Sequence, residues 1–334
     1  MKKTLKIFLT FIAMILIIHF ALSSYYKLDK VPIQDQYNYT YSDYIEIDSF
    51  SEADGFTAYY PKDFEGDSIP LIVFNHGWGL HNPVGYGAWI RHLVYQGYAV
   101  IFPRYQKSLL TSAKTFTPNA AKGIRDGIYA IKKTAGIQPY QSELLMIGHS
   151  YGGVISVNLS IEWKKYNIPK PSAIFVLQSG HGFITSGRIK DYTKIPEDTK
   201  MLLLMSEKDH VTGGSFSKEI FELNKDRLKT INLVKMWQDN QGKEEVKAVH
   251  EDPVAMDPEF DKGTGFLIVF RAKMIHRLDK ADFNGFWKLA DGLARCTYYG
   301  IDCDVAFGNT KKQKDMGTWK DGTAVKKLKV ETPG

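Results

Sequence analysis

Cysteine is scarce, with two residues in 334, too few to staple a fold of this length. Neither has a second pair or a histidine cluster near it, so no zinc site is expected. The sequence has no G-x-x-x-x-G-K-[ST] phosphate loop, and Gly77-x-Gly79 lacks the third glycine of a dinucleotide fingerprint. His250-Glu251 is not followed by the second histidine of a zinc-hydrolase helix. These absences leave no cofactor and no metal to expect. Internal repeats and low-complexity blocks are also missing. Apolar residues are plentiful, at 44% against 24% charged, which excludes a disordered chain.

The formal charge of +6 raises nucleic acid as a partner, but its distribution argues otherwise. Residues 1–23 hold Lys2, Lys3 and Lys6 and no acid, so the rest carries 40 basic against 37 acidic residues. Residues 7–22 form an apolar run broken only by Thr10 and His19. A basic start, this run and Ala21-Leu22-Ser23 describe a cleaved signal peptide or an uncleaved N-terminal anchor, the remaining alternative being a buried core helix. The run is shorter than the roughly 20 residues of a comfortable bilayer span. The signal and anchor readings both place the remaining protein outside the cytoplasm, secreted, periplasmic or membrane-associated through residues 7–22. Seven lysines between Lys311 and Lys329 are interrupted by Gly317, Trp319 and Gly322, without arginine, and read as a solvated stretch. No nucleic-acid partner is expected. In an exported chain Cys296 and Cys303 are candidates for a local disulfide, the alternative being two unrelated buried thiols.

Residues 24–41 read as a polar, Tyr-rich spacer, 42–299 as one α/β domain and 300–334 as a C-terminal extension. Strands are predicted over 42–50, 55–60, 70–75, 98–102, 143–147, 173–177, 201–205 and 231–236. Helices are predicted over 85–95, 119–135, 154–166, 217–228 and 281–295, while 266–275, FLIVFRAKMI, looks strand-like. Strands alternating with helices argue for a mostly parallel sheet covered on both faces.

The informative motif is Gly148-His149-Ser150-Tyr151-Gly152-Gly153, a G-x-S-x-G between a strand-like and a helix-like run. A sharp strand-to-helix turn lifts the serine oxygen above the sheet and crowds its flanking residues, which glycines at 148 and 152 relieve. The helix that follows brings its N-terminal amides and positive dipole end to the serine. In motif order, residues 55–295 resemble the α/β-hydrolase superfamily. That resemblance implies an α/β-hydrolase fold without a large lid domain, Ser150 as nucleophile, and an oxyanion hole from the amides of Tyr151 and Trp78. Trp78 lies in Asn75-His76-Gly77-Trp78-Gly79 after the third strand. His76 and His149 match positions where the family uses histidine structurally.

The family order is serine, then acid, then histidine. Asp209, in Ser206-Glu207-Lys208-Asp209-His210-Val211, matches the expected acid turn, with Glu207 as the solvent-facing alternative. For the base, His210 adjoins the acid too closely. His250 resembles the base of a group of bacterial secreted hydrolases, and His276 is the alternative. A serine nucleophile implies acyl transfer through an acyl-enzyme, hence hydrolysis of small-molecule or polymeric carboxylic esters. The 24 or so residues between Leu177 and Met201 are too few for a multi-helix lid and could form a small flap. Trp78, Tyr86, Trp89, Tyr105, Tyr151 and Phe183 are candidates for an acyl groove, or else scaffold. Cutinase-like, platelet-activating-factor acetylhydrolase-like and general esterase substrates stay open, as does the oligomeric state. A non-catalytic binding or adhesion protein on the same fold is the alternative function.

Overall fold

The computed structural model describes residues 37–180, 184, 186–264, 266–275 and 277–333, without the side chains of 266–268, 270 and 271. The N-terminal signal or anchor, most of the spacer, Phe183 and His276 therefore lie outside the described residues. Among those described, nine strands form the main sheet, numbered here along the chain. They are β1 (Tyr44–Ser49), β2 (Phe56–Pro61), β3 (Leu71–Asn75), β4 (Ala99–Pro103) and β5 (Leu144–His149). The remainder are β6 (Pro171–Leu177), β7 (Lys200–Ser206), β8 (Ile231–Met236) and β9 (Lys329–Glu331). Their spatial order is 1-2-4-3-5-6-7-8-9. Strands β3 to β8 run parallel to their neighbours among themselves, while β1, β2 and β9 join antiparallel.

The helices are α1 (Gly87–Tyr95), α2 (Phe116–Ala135), α3 (Tyr151–Tyr166), α4 (Ser215–Asn224), α5 (Phe266–Ile275), α6 (Lys288–Tyr298), α7 (Cys303–Ala306) and α8 (Lys311–Lys314). Central strands carry unbroken apolar runs, such as Leu71–Phe74, Leu144–Ile147 and Met201–Met205, because both faces are covered. Along β3, Ile72 and Phe74 pack into one core with Trp89 and Leu93 of α1 and Leu289 and Leu293 of α6. Leu71 and Val73 point the other way, into a core with Phe116 and Ile124 of α2, Val154 of α3 and Ile220 of α4. The period of two along each strand thus builds two layers, one per face.

Two expectations are corrected. Residues 266–275 form helix α5, not a strand. A ten-residue apolar run is compatible with either element, and here it packs against the 3-10 turn Pro83–Tyr86, while β1 and β9 hold the two edges of the sheet. Residues 300–334 are also more than an appended extension. Val330 pairs with Val234 as β9 joins β8, and Trp319, Val325 and Leu328 are buried in the α1/α6 core. The lysines at 311, 312, 320, 326, 327 and 329 stay exposed between them, so charge patterning hid an apolar stripe. Cys296, in α6, and Cys303, at the start of α7, form a disulfide. Among the described residues no helix is long and apolar enough to cross a membrane.

Candidate active site

Strand β5 ends at His149, and the chain turns at Ser150 into α3 with Ser150 at φ 55° and ψ −122°. A non-glycine residue in such a conformation is strained and is held only by its surroundings. Here the Ser150 amide donates to the Leu177 carbonyl at 2.9 Å, and the Ser179 hydroxyl donates to the Ser150 carbonyl at 2.7 Å. The glycines are required by contact. A Cβ at Gly148 would lie 2.5 Å from the Gly152 carbonyl oxygen, and one at Gly152 would lie 2.1 Å from the Asn75 carbonyl oxygen. At Gly153 a Cβ would come within 2.6 Å of Ser179 Oγ.

Ser150 Oγ lies 3.0 Å from His250 Nε2, and His250 Nδ1 lies 3.0 Å from Asp209 Oδ2. All three side chains are buried. The carboxylate can only accept, so Nδ1 carries the proton and Nε2 is left to receive the serine hydroxyl. Asp209 Oδ1 accepts from the amides of Val211 and Thr212, each at 2.9 Å, and Oδ2 accepts from the Thr212 hydroxyl at 2.7 Å. Burial alone would raise the Asp209 carboxyl. The hydrogen bond and charge of His250, with the hydrogen bonds from the Thr212 amide and hydroxyl, outweigh it and hold the group well below the ordinary carboxylate range.

The loop that carries His250 is tied to the acid turn, since the Lys208 amide donates to the Ala248 carbonyl at 2.8 Å. Gln178, at the end of β6, adds a second tie, its Nε2 donating to Ser206 Oγ at 2.6 Å and to the Val249 carbonyl at 3.1 Å. Asp252 accepts the Val249 amide at 3.0 Å. Gln178 and Ser179 escape sequence reasoning. Their signal is position, at the carboxyl end of a parallel strand where α/β sites form.

Glu207 accepts the Gln238 amide at 3.0 Å, outside this hydrogen-bonded chain, and His210 is exposed. In the loop after β3, the Gly77 amide donates to Tyr86 Oη at 2.9 Å and the Gly79 amide to Gln106 Oε1 at 2.8 Å. Trp78 is half-buried between them, and Tyr151 is the first residue of α3. His76 stacks on Tyr105 with ring centroids 3.8 Å apart. Burial pushes its pKa down to about 3, against the pull of the Gly77 and Arg104 carbonyls that its two ring nitrogens face at 2.7 Å. His149 bonds Tyr86 and the His250 carbonyl.

Three of the six acyl-groove candidates fail. Tyr86, Trp89 and Tyr105 are fully buried in the two cores, because their rings fill the layers flanking β3 and β4. The described part of the segment between β6 and β7 is pinned to α3. Tyr151 donates to the Ser186 carbonyl, and Asn158 Nδ2 donates to the Gly187 carbonyl at 2.8 Å. A separate cavity of about 460 Å³ is lined by Arg277, Asp279, Phe283 and Trp319 among others, and by none of Ser150, His250 or Asp209. Among the described residues no three His, Cys, Asp or Glu side chains are grouped to hold a metal ion.

No protein-family model matches the chain, and no curated protein matches it. Solved structures similar to it include a fungal esterase from Rhizomucor miehei, at 15% identity and TM-score 0.47, covering 71% of this chain and 85% of that one. Another is an inhibited esterase B from Lactobacillus rhamnosis, at 13% identity and TM-score 0.43, covering 61% of this chain and 78% of that one. By its strand order, and by the strand–turn–helix that carries Ser150, this chain has the α/β-hydrolase fold.

Proposed function

We propose that the protein is a serine hydrolase that cleaves carboxylic esters through an acyl-enzyme. The observation that carries this reading is the hydrogen-bonded line from Ser150 through His250 to Asp209, set on a strained turn. Ser150 Oγ attacks the ester carbonyl as His250 Nε2 takes its proton, and Asp209 holds the tautomer and stabilises the imidazolium. The amides of Trp78 and Tyr151 receive the developing oxyanion, where each such donor typically contributes about 10²–10³ in rate. Collapse expels the alcohol, protonated by His250, and water activated by the same imidazole then releases the acid.

The described part of the segment between β6 and β7, pinned to α3 and carrying one 3-10 turn at Tyr192–Lys194, supports an open site for short-to-medium or polymeric esters. The basic, apolar N-terminus and the Cys296–Cys303 disulfide support export, with residues 7–22 as signal or anchor. A fluorophosphonate probe tests the chemistry. Wild-type protein should be labelled and Ser150→Ala should not. Folded wild-type protein that resists labelling would leave only a binding role. A chain-length series of p-nitrophenyl esters then ranks substrates.

A further inference from the structure

The catalytic reading leaves two buried groups beside the nucleophile unexplained. Tyr86 is fully buried, and its hydroxyl lies 2.8 Å from His149 Nδ1. His149 Nε2 lies 2.9 Å from the backbone carbonyl of His250. A carbonyl can only accept, so Nε2 carries a proton, and in the neutral imidazole Nδ1 then accepts. Tyr86 therefore donates its proton to Nδ1, while its oxygen accepts the Gly77 amide at 2.9 Å. Every proton in this line points one way, from Gly77 through Tyr86 and His149 to the carbonyl of His250, and bonds in such a line reinforce one another.

The line joins the three segments that must keep register during catalysis. Gly77 precedes Trp78 in the oxyanion loop, His149 immediately precedes Ser150, and His250 is the base. The fit is close, since a Cβ at Gly77 would stand 3.1 Å from His149 Nδ1 and 3.3 Å from Tyr86 Oη. The His149 and His250 rings are 5.0 Å apart.

We propose that Tyr86 and His149 are positioning residues for this hydrolase, with neutral His149 clamping the backbone of His250 to the turn that carries Ser150. The proposal rests on the reading of Ser150, His250 and Asp209 as the catalytic residues. The clamp acts on the base through its main chain and touches no reacting atom.

The test compares Tyr86→Phe, His149→Ala, His149→Gln and the Tyr86→Phe/His149→Ala double variant, with Ser150→Ala as control. Readouts are kcat and KM on p-nitrophenyl butyrate and the rate of fluorophosphonate labelling. Tyr86→Phe and His149→Ala should each lower kcat and labelling about 10-fold or more, with KM held within about 3-fold, the pattern of a lost orientation. His149→Gln, whose carboxamide N–H can still donate to the His250 carbonyl, should return to within about 3-fold of wild type. The double variant should be no worse than His149→Ala, because both break one line. Equal damage from Gln and Ala, additive losses, or an unchanged kcat in Tyr86→Phe would overturn the clamp. If His149→Ala does not fold, Tyr86→Phe and His149→Gln decide alone. Turnover surviving in Ser150→Ala would overturn the catalytic reading and the clamp with it. An inactive Ser150→Ala beside unaffected clamp variants would overturn the clamp only.

Discussion

Asp252 is the residue whose replacement should make the protein more stable. It lies two residues after His250, buried beside Asp279 and Asp282. Burial first, and the charge of Asp279 second, push its carboxyl up to about 7, against the pull of the Val249 amide, Arg277 and Lys247. In the unfolded chain the same carboxyl titrates near its ordinary value of 3.8. Between these values the folded protein holds a proton that the unfolded chain has released, so stability falls as pH rises from about 4 to about 7 and levels off above. At about 1.4 kcal/mol for each tenfold step in proton affinity, the loss on this group reaches about 4 kcal/mol. Asp252→Asn removes it. The asparagine oxygen can still accept the Val249 amide. We expect a gain of about 4 kcal/mol at about pH 8, read as a melting temperature about 8 °C higher, and no gain at about pH 4. Thermal or urea unfolding across that pH range measures it. A variant whose stability tracks wild type in parallel at every pH would refute the reasoning.

Asp209→Asn should lower kcat by about 10³–10⁴ by presenting the wrong partner to His250 Nδ1. Because the Asp209 carboxyl is held below its ordinary value, the stability it contributes is present above about pH 4 and lost below it. Asp209→Asn should therefore melt lower than wild type at neutral pH and converge with it in acid. Gly152→Ala places a Cβ 2.1 Å from the Asn75 carbonyl and should cost about 3 kcal/mol or more together with esterase activity. A stable, active variant would show that the turn has room. Replacing both Cys296 and Cys303 by serine opens a link across a sequence separation of 7 and should cost about 2 kcal/mol. That loss should vanish when wild type is melted under reducing conditions, and a difference that persists would assign it to packing.

Much of the fold was legible because its strands are short, β-branched and bounded by turn residues. β8 spans Ile231–Met236 in sequence and structure alike. Helix α2 ends, as Gly136 signals, in a left-handed cap at φ 73°. Helix α5 was misread because FLIVF carries strand propensity, while tertiary position decides which element a short apolar run forms. β9 was missed because three residues among lysines carry no periodic signal, and their pairing depends on β8, about 95 residues away. At the site, the turn at Ser150 showed itself through local spacing that steric demand imposes. That His250 comes within reach of Ser150 and Asp209 depends on where a loop lands, which is set by ties such as Gln178 to Val249. The line through Tyr86 and His149 was illegible for the same reason, since its members are scattered from Gly77 to His250.

The pairing of β9 with β8 has a consequence for handling the molecule. A proteolytic fragment or a prematurely terminated product that lacks Lys329–Glu331 would bare the backbone of Leu233–Lys235 along a sheet edge. Such an edge is a template for another chain. Val234, fully buried and paired with Val330 in the whole protein, would then sit on an edge strand. Loss of a few lysine-flanked residues would thus first surface as a change in solubility, with self-association preceding any change at Ser150.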